Sequence, residues 1–320
     1  MEVNKIYQEP CLDTLRKMPD EFIDCVITSP PYWQLRDYGY PEQWGLEPTF
    51  QEYLEHLWQL MDEIYRVLKD NGTVWVNLGD SFSTQSGTNA ALAKGKNYKF
   101  DSTYIINRGE SAKLIKSKNL PNKCLLLIPH RFAIGCIDRG WIIRNDIIWA
   151  KRNGMPESVT DRFTKKHEYI FFMVKNEKYY FDLDSIRDKH KWANDKKNDG
   201  NRHEYSNDVK SQNNKWLATN AVSFNAKGKN PGSVSDFWDI TTKGSTNEHY
   251  AAYNDELIKK PILAGCPENG IIYDPFMGTG STAEAALRAN RQFIGSEMSV
   301  KYCEIANTRL EPYLKQKNLF

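Results

Sequence analysis

Two short stretches carry residue types whose order suits chemistry. The first is Thr28-Ser29-Pro30-Pro31-Tyr32-Trp33, directly after the apolar run Phe22 to Ile27. Two consecutive prolines stop regular structure, because proline has no N–H to give and restricts the residue before it. The turn is therefore rigid, and the Ser29 and Pro30 carbonyls and the Tyr32 ring have fixed directions. Such a turn can grip a flat polar ring, with carbonyl acceptors for an exocyclic amine and an aromatic face for stacking. Taken alone, Pro-Pro-Tyr fits a surface loop or a ligand for a small recognition domain equally well. The second stretch, Asp274-Pro275-Phe276-Met277-Gly278-Thr279-Gly280-Ser281-Thr282, follows the apolar Ile271 to Tyr273 and precedes a helical pattern. Gly278 and Gly280 permit a tight turn and close approach of a ligand at the carboxyl end of a strand.

As a pair, these stretches resemble the Ser-Pro-Pro-Tyr catalytic motif and the Phe-x-Gly-x-Gly cofactor motif of the DNA amino-methyltransferases. The catalytic motif comes first, which resembles the family's beta-type order. The resemblance implies transfer of a methyl group from S-adenosylmethionine to the exocyclic amine of cytosine or adenine in double-stranded DNA. It implies a catalytic turn formed by Ser29, Pro30, Pro31 and Tyr32, with acceptors around the amine and Tyr32 stacked on the base. It places Asp274, Pro275, Phe276, Gly278, Gly280, Ser281 and Thr282 around the cofactor, with Asp274 meeting its ammonium directly or through water. Glu297 ends the next predicted strand, near the spacing at which dinucleotide folds hold a ribose; a plain surface carboxylate would occupy the same place. The family's Gly-Asp-Cys-Leu-like stretch near the adenine is here Glu9-Pro10-Cys11-Leu12, without the Asp. Any contact from Cys11 or Leu12 is then through backbone or apolar surface. His249-Tyr250-Ala251-Ala252-Tyr253 matches a His-Pro-Ala-Pro-Phe-like segment only without its prolines. Ser29 resembles the N4-cytosine enzymes, where adenine enzymes carry Asp or Asn. Adenine N6 is the alternative target, and a silent nucleic-acid-binding protein on the same fold is the remote one. The family's common setting is a restriction–modification system with a paired endonuclease, although an orphan enzyme would look the same.

The bulk numbers agree with a soluble globular protein. At 320 residues, 40% hydrophobic and 26% charged, the chain can bury a full core. No apolar run is long enough to span a membrane, and Met1-Glu2-Val3-Asn4-Lys5 opens no signal sequence, so a cytoplasmic location is expected. Six cysteines show no Cys-x-x-Cys spacing, which predicts buried thiols rather than a zinc site or disulfides. The net charge of +2 is unevenly placed. Between Lys94 and Lys123, eight Lys/Arg face Asp101 and Glu110, a local +6 that leaves −4 for the rest. Lys94, Lys96, Lys99 and Arg108 alternate there with Tyr98, Phe100 and Tyr104, which fits a phosphate-tracking loop or a solvated basic one. Lys151, Arg152 and Arg162 add a second basic stretch.

The elements that must position these residues read as an α/β fold. Lys5 to Thr28 reads as strand, short helix, strand, and Gln34 to Gly39 as a loop over the site or an ordinary connection. Thr49-x-x-Glu52 is a capping box ahead of a helix with Trp58 and Met61 as core positions. Asp70-Asn71-Gly72 is expected to end that helix before a strand at Thr73 to Leu78. Trp141 to Trp149 and His167 to Val174 read as an antiparallel hairpin at the sheet edge. The glycine turn of a doubly wound sheet belongs to its first strand, yet few residues follow it here, so the missing strands must precede it. The chain is thus a circularly permuted, doubly wound, mostly parallel sheet with an antiparallel edge hairpin and an inserted recognition region. Boundaries fall at 1–184 for the catalytic half (basic loop 82–120), 185–247 for target recognition, and 248–320 for the cofactor half. The middle segment is rich in asparagine, with nine between Asn194 and Asn230 and a net +4 over Ser185 to Asn247. It reads either as a reader of base edges or as a flexible insertion.

Overall fold

The computed structural model describes residues 1–40, 42–83, 120–154, 157–187, 235–241 and 255–317. In chain order these form β1 (Lys5–Tyr7), α1 (Cys11–Lys17), β2 (Ile23–Thr28), α2 (Phe50–Val67), β3 (Leu68–Leu78), α3 (Ile128–Asp138), β4 (Ile142–Ala150) and β5 (His167–Val174). A 3₁₀ turn at Asp184–Ile186 follows, then β6 (Phe237–Asp239), α4 (Asp255–Gly265), β7 (Ile271–Asp274), α5 (Ser281–Arg288), β8 (Gln292–Ser296) and α6 (Val300–Lys317). The eight strands lie in the order β1-β8-β7-β2-β3-β5-β4-β6. All neighbours are parallel except β5, which runs against both β3 and β4. The strand that carries the glycine turn, β7, is central in space but close to the end of the chain. This is the permuted, doubly wound α/β sheet that the motif order predicts.

Helices cover both faces, so central strands have no polar side. All six residues of β2 are buried. Val26, Val74, Val76 and Tyr273 face a core closed by α1, α2 and α3. Cys25, Ile27, Trp75 and Ile272 face a second core closed by α4, α5 and α6. The capping box forms as expected, with the Thr49 hydroxyl accepting from the Glu52 N–H at 3.2 Å. Trp58 packs where α2 meets α3, its Nε1 donating to the Phe132 carbonyl at 3.1 Å. A Cβ on Gly135 would come within 2.3 Å of that indole, so the two helices touch through a glycine. Among the described residues, no helix is long and apolar enough to cross a membrane.

Two local expectations need correction. The Asp70-Asn71-Gly72 triplet does not end α2. The helix stops at Val67, Leu68 is already extended, and β3 begins at once. Pairing with β2 jumps from Ile23↔Leu68 to Cys25↔Thr73, so the triplet is a bulge inside β3. Burial of Val67 and Leu68 turns the chain, with the Phe22 N–H bonded to the Val67 carbonyl at 2.7 Å. Gly72 serves close approach instead: a Cβ there would fall 2.7 Å from the Leu68 side chain and 3.0 Å from the Asp24 carbonyl. The hairpin β4–β5, for its part, is not the last of the sheet. A further strand, β6, comes from the asparagine-rich segment and pairs with β4 at Ile148↔Phe237, Trp149↔Trp238 and Ala150↔Asp239.

Asp24 fixes the middle of this sheet. Its Oδ2 accepts from the Ile271 N–H at 2.9 Å, and its Oδ1 accepts from Lys69 Nζ at 2.8 Å. One buried carboxylate thus joins β2, β3 and β7 at the end opposite the two motifs. Asp24→Ala leaves the first N–H of β7 without an acceptor and should cost about 1–3 kcal/mol of stability, read as a lower urea midpoint at unchanged m-value.

Candidate active site

Because β2 and β7 run parallel and pair at Cys25↔Ile272 and Val26↔Tyr273, both motifs emerge at the same edge of the sheet. The register, continued, sets Asp274 beside Ile27 and Thr28. Aromatic contact closes the gap between the turns: the Trp44 ring lies 5.4 Å from Phe276 and stacks on His56 at 5.5 Å. Buried Glu47 holds that loop in place, with Oε1 2.9 Å from His56 Nδ1 and Oε2 accepting from the Gly45 N–H at 2.8 Å. Its carbonyl also accepts from Trp33 Nε1 at 3.0 Å. A second bridge runs from the Tyr40 hydroxyl to Ser299 Oγ at 2.8 Å. The segment after the Pro-Pro turn is therefore folded back on the glycine turn and the start of α6.

The Pro-Pro turn is braced from below. The Pro31 carbonyl accepts from the Tyr53 hydroxyl at 2.8 Å. The Tyr32 hydroxyl lies 2.7 Å from Glu168 Oε2 and 3.1 Å from Asn77 Oδ1. Asn77 Nδ2 donates to the Tyr169 carbonyl at 3.1 Å, and Lys151 forms an ion pair with the other oxygen of Glu168. A Cβ on Gly79 would sit 2.5 Å from the Tyr32 ring, so only glycine leaves room for it. Sequence reasoning missed Gly79, Asn77 and Glu168. Asn77 left a signal, an amide inside the apolar run Val74 to Leu78 and now 3% exposed, whereas Glu168 left none.

In the glycine turn, Gly278 and Gly280 both adopt the left-handed conformation, at φ +55° and +83°. A Cβ on Gly278 would meet nothing nearer than the Phe276 carbonyl at 4.0 Å, so its upper face is open. At Gly280 it would press on Ala306 Cβ at 2.9 Å, so the lower face is shut. Asp274 is buried, with Oδ1 accepting from the Phe276 N–H at 3.0 Å and Oδ2 from the Thr282 hydroxyl at 2.6 Å. Burial pushes its carboxyl up to about 6, against the opposing pull of the Thr282 hydroxyl, the Phe276 N–H and the Thr28 hydroxyl. Glu297 accepts from the Gly278 N–H and the Ser299 N–H, each at 2.8 Å. Burial raises its pKa too, and those N–H groups hold it back. Pro275 is buried behind the turn.

Some predicted residues are placed differently from their expected use. Thr282 spends its hydroxyl on Asp274, and Ser281 accepts from Arg309 Nη1 at 2.9 Å, so both side chains point inward. What they offer outward is N–H at the start of a helix, where the first turn has no intrahelical acceptor. Cys11 opens α1 at the same sheet edge, since β1 pairs with β8 and the Glu297 N–H bonds to the Tyr7 carbonyl at 3.1 Å. Its thiol is buried and pushed up to about 12, and its carbonyl accepts from the Tyr273 hydroxyl at 3.3 Å. Leu12 is half-buried against the first core. Three basic residues of the β4–β5 loop are paired: Lys151 with Glu168, Arg152 with Asp239 and Arg162 with Glu157. Lys94, Lys96, Lys99 and Arg108, and the segment His249 to Tyr253, lie outside the described residues. All six cysteines are free thiols, and no cluster of metal ligands occurs among the described residues.

The DNA methylase family of N6/N4 type matches residues 23–308, a span that contains both turns and everything between them. The chain belongs to that family. As an amino-methylating DNA methyltransferase of the beta type, it is 34% identical over 306 residues to the type II methyltransferase M.Cfr9I of Citrobacter freundii, covering 96% of this chain and 87% of that one. It is 33% identical over 306 residues to M.SmaI of Serratia marcescens, covering 96% and 90%. In fold it is similar to the PvuII DNA methyltransferase, a cytosine-N4-specific enzyme, at TM-score 0.60 and 17% identity over 97% of this chain and 86% of that one. It is likewise similar to a putative DNA modification methylase of Thermus thermophilus complexed with S-adenosyl-L-methionine, at TM-score 0.56 and 18% identity over 97% and 94%.

The raised pKa of Asp274 gives this methyltransferase a testable signature. Folding favours the protonated carboxyl, so its stabilising contribution is complete below the unfolded value near 4 and is lost as pH rises through about 6. Between those limits the slope from this one group approaches about 1.4 kcal/mol per pH unit. Urea unfolding of the wild type and Asp274→Asn from pH 4 to 7 should show the two stabilities diverging in that window, with the wild type losing ground.

Proposed function

We propose that this protein moves a methyl group from S-adenosylmethionine to the exocyclic N4 amine of a flipped-out cytosine in duplex DNA, as the modification enzyme of a restriction–modification system. The observation that carries this reading is the meeting of two turns on adjacent strands, with Trp44 packed on Phe276 between them. The residues present fit the cofactor. Gly278 offers open backbone, Asp274 a buried carboxylate for an ammonium, Glu297 a carboxylate at a strand end for a ribose, and Phe276 a partly exposed ring. Pro275, Gly280, Ser281 and Thr282 shape the turn, and Cys11 and Leu12 supply backbone and apolar surface at the neighbouring strand end. When bound, the cofactor supplies an electrophilic methyl on a sulfonium.

The protein's own groups address the nucleophile. The lone pair of a base amine is conjugated into the ring, so the nitrogen must be drawn toward tetrahedral geometry. Ser29 and the Pro30 carbonyl accept from its N–H bonds and stabilise the positive charge that develops on it. Pro31 keeps these acceptors rigid through its bond from Tyr53, and Tyr32 stacks on the ring. Attack of the amine on such a methyl would displace the sulfonium as a neutral thioether and leave the nitrogen cationic, so its proton would pass readily to water. No strong base is required. Because the amine is buried in the stack of a duplex, the nucleotide must be extruded, at a cost of a few kcal/mol.

Ser29 and the cytosine-N4 specificity of the PvuII enzyme support cytosine as the target. The type II names of the relatives support the restriction–modification setting and a cognate endonuclease. Residues 1–184 then act as the catalytic half, 185–247 as the target reader and 248–320 as the cofactor half. Lys94, Lys96, Lys99, Arg108, Lys151, Arg152 and Arg162 track phosphates, Arg152 by exchanging its carboxylate partner for DNA.

Labelled S-adenosylmethionine and unmethylated genomic DNA test this directly. Mass spectrometry of the digested nucleosides should find label in N4-methylcytosine; label in N6-methyladenine changes the target, and label in neither removes the reading. Tyr32→Ala should lower transfer by at least about a hundredfold while cofactor affinity survives; equal loss of both would make the turn structural.

A further inference from the structure

Phe163 stands out of the surface beside the active site. It is 97% exposed, whereas the next most exposed large apolar residue among those described is Ile134 at 59%. Scattered apolar side chains are ordinary on a surface, but this one is presented by a pinned backbone. Arg162 Nη1 donates to the Phe163 carbonyl at 3.1 Å, and the same guanidinium lies over the Phe82 ring at 4.0 Å and pairs with Glu157. Further along, Lys123 pairs with Asp161. A bare ring between an anchored Arg162 side chain and the loop root is a presented side chain, not a stray one.

Its position is equally particular. The loop spans residues 151–166 and is rooted where the Lys151 N–H bonds to the Lys166 carbonyl at 2.8 Å. Lys151 pairs with Glu168, which in turn lies 2.7 Å from the Tyr32 hydroxyl. The root is thus two side-chain contacts from the catalytic tyrosine. Phe163 precedes Lys166 by so few residues that it stands within about 10 Å of that root along the chain. Five Lys/Arg and two Asp/Glu between Lys151 and Lys166 give the loop a charge of +3, complementary to a phosphate backbone.

Extruding a base leaves a gap in the stack, and proteins that distort DNA fill such gaps with apolar side chains. We infer that Phe163 is the wedge that enters the duplex and occupies the space of the extruded base. This rests on the proposed base-amine methylation and deepens it by naming the group that stabilises the open DNA. Arg162 is then the positioning residue of the wedge, and the charged neighbours dock the flanking phosphates.

The test compares two oligonucleotide duplexes bearing the site that methylation mapping identifies, one with the target base paired normally and one with it opposite an abasic position. Phe163→Ala should lower kcat/KM on the normal duplex by about tenfold or more, as expected where part of a few-kcal/mol extrusion cost goes unrepaid. On the abasic-opposed duplex, where no partner base resists extrusion, the deficit should shrink to about twofold. Phe163→Trp should stay near wild type on both, and cofactor affinity should be unchanged throughout. An equal deficit on both duplexes, or none on either, overturns the wedge. So does a change of oligomeric state in sedimentation without a difference between duplexes, which would make Phe163 a contact between copies. Failure of the unaltered protein to methylate either duplex is a different result: it removes the proposed function itself.

Discussion

Backbone hydrogen bonding between β2 and β7 joins residues from opposite ends of the chain, and the site exists only because that pairing is parallel. A parallel pair sends both chains out at one edge, so the Pro-Pro turn and the glycine turn face the same space. An antiparallel pair would have put them at opposite ends. The pairing is reinforced from several directions. Asp24 bonds to the first N–H of β7, helices bury both faces, and Trp44 packs on Phe276 above the edge. The loop-closure entropy of such a distant contact grows only slowly with length, so the large buried surface of the two central strands readily offsets it.

The edge itself is built around carboxylates that are costly to bury. Asp274 is kept from water and Glu297 is partly so, and both are compensated mainly by N–H groups and hydroxyls of the turn. Such partial compensation favours a cation arriving later, since an unpaired buried charge is expensive and a paired one less so. Glu168 presents the contrasting case. It already has its cation in Lys151, and its free edge orients the Tyr32 hydroxyl. Two of these acids are held by groups of their own turn, while the third braces a ring.

How much of this is legible in the sequence follows from how local each feature is. The two turns announce themselves by prolines and glycines, whose backbone constraints act within a few residues. The strands and helices that flank them show in periodicity, and the permuted order follows from where the glycine turn falls. The bulge at Asp70-Asn71-Gly72 is hidden because the same residues that end helices also fill bulges, and only burial of Leu68 decides between them. Strand β6 is three residues long, too short for alternation, and it forms because Trp149 and Trp238 pack side by side at the end of β4. Glu168 and Gly79 matter only through Tyr32, across a sheet, so nothing local marks them. Ser281 and Thr282 lie in the expected turn, but their inward hydroxyls depend on Arg309 and Asp274, which no spacing rule connects.

A crystal structure with S-adenosylmethionine or a non-reactive analogue bound tests the central claim most directly. The adenosyl and methionine parts should lie along Gly278 between Asp274 and Glu297, with the reactive methyl position opening toward the Pro30 carbonyl and the Tyr32 ring. Cofactor bound elsewhere, or a methyl position walled off from Ser29 and Tyr32, would contradict it.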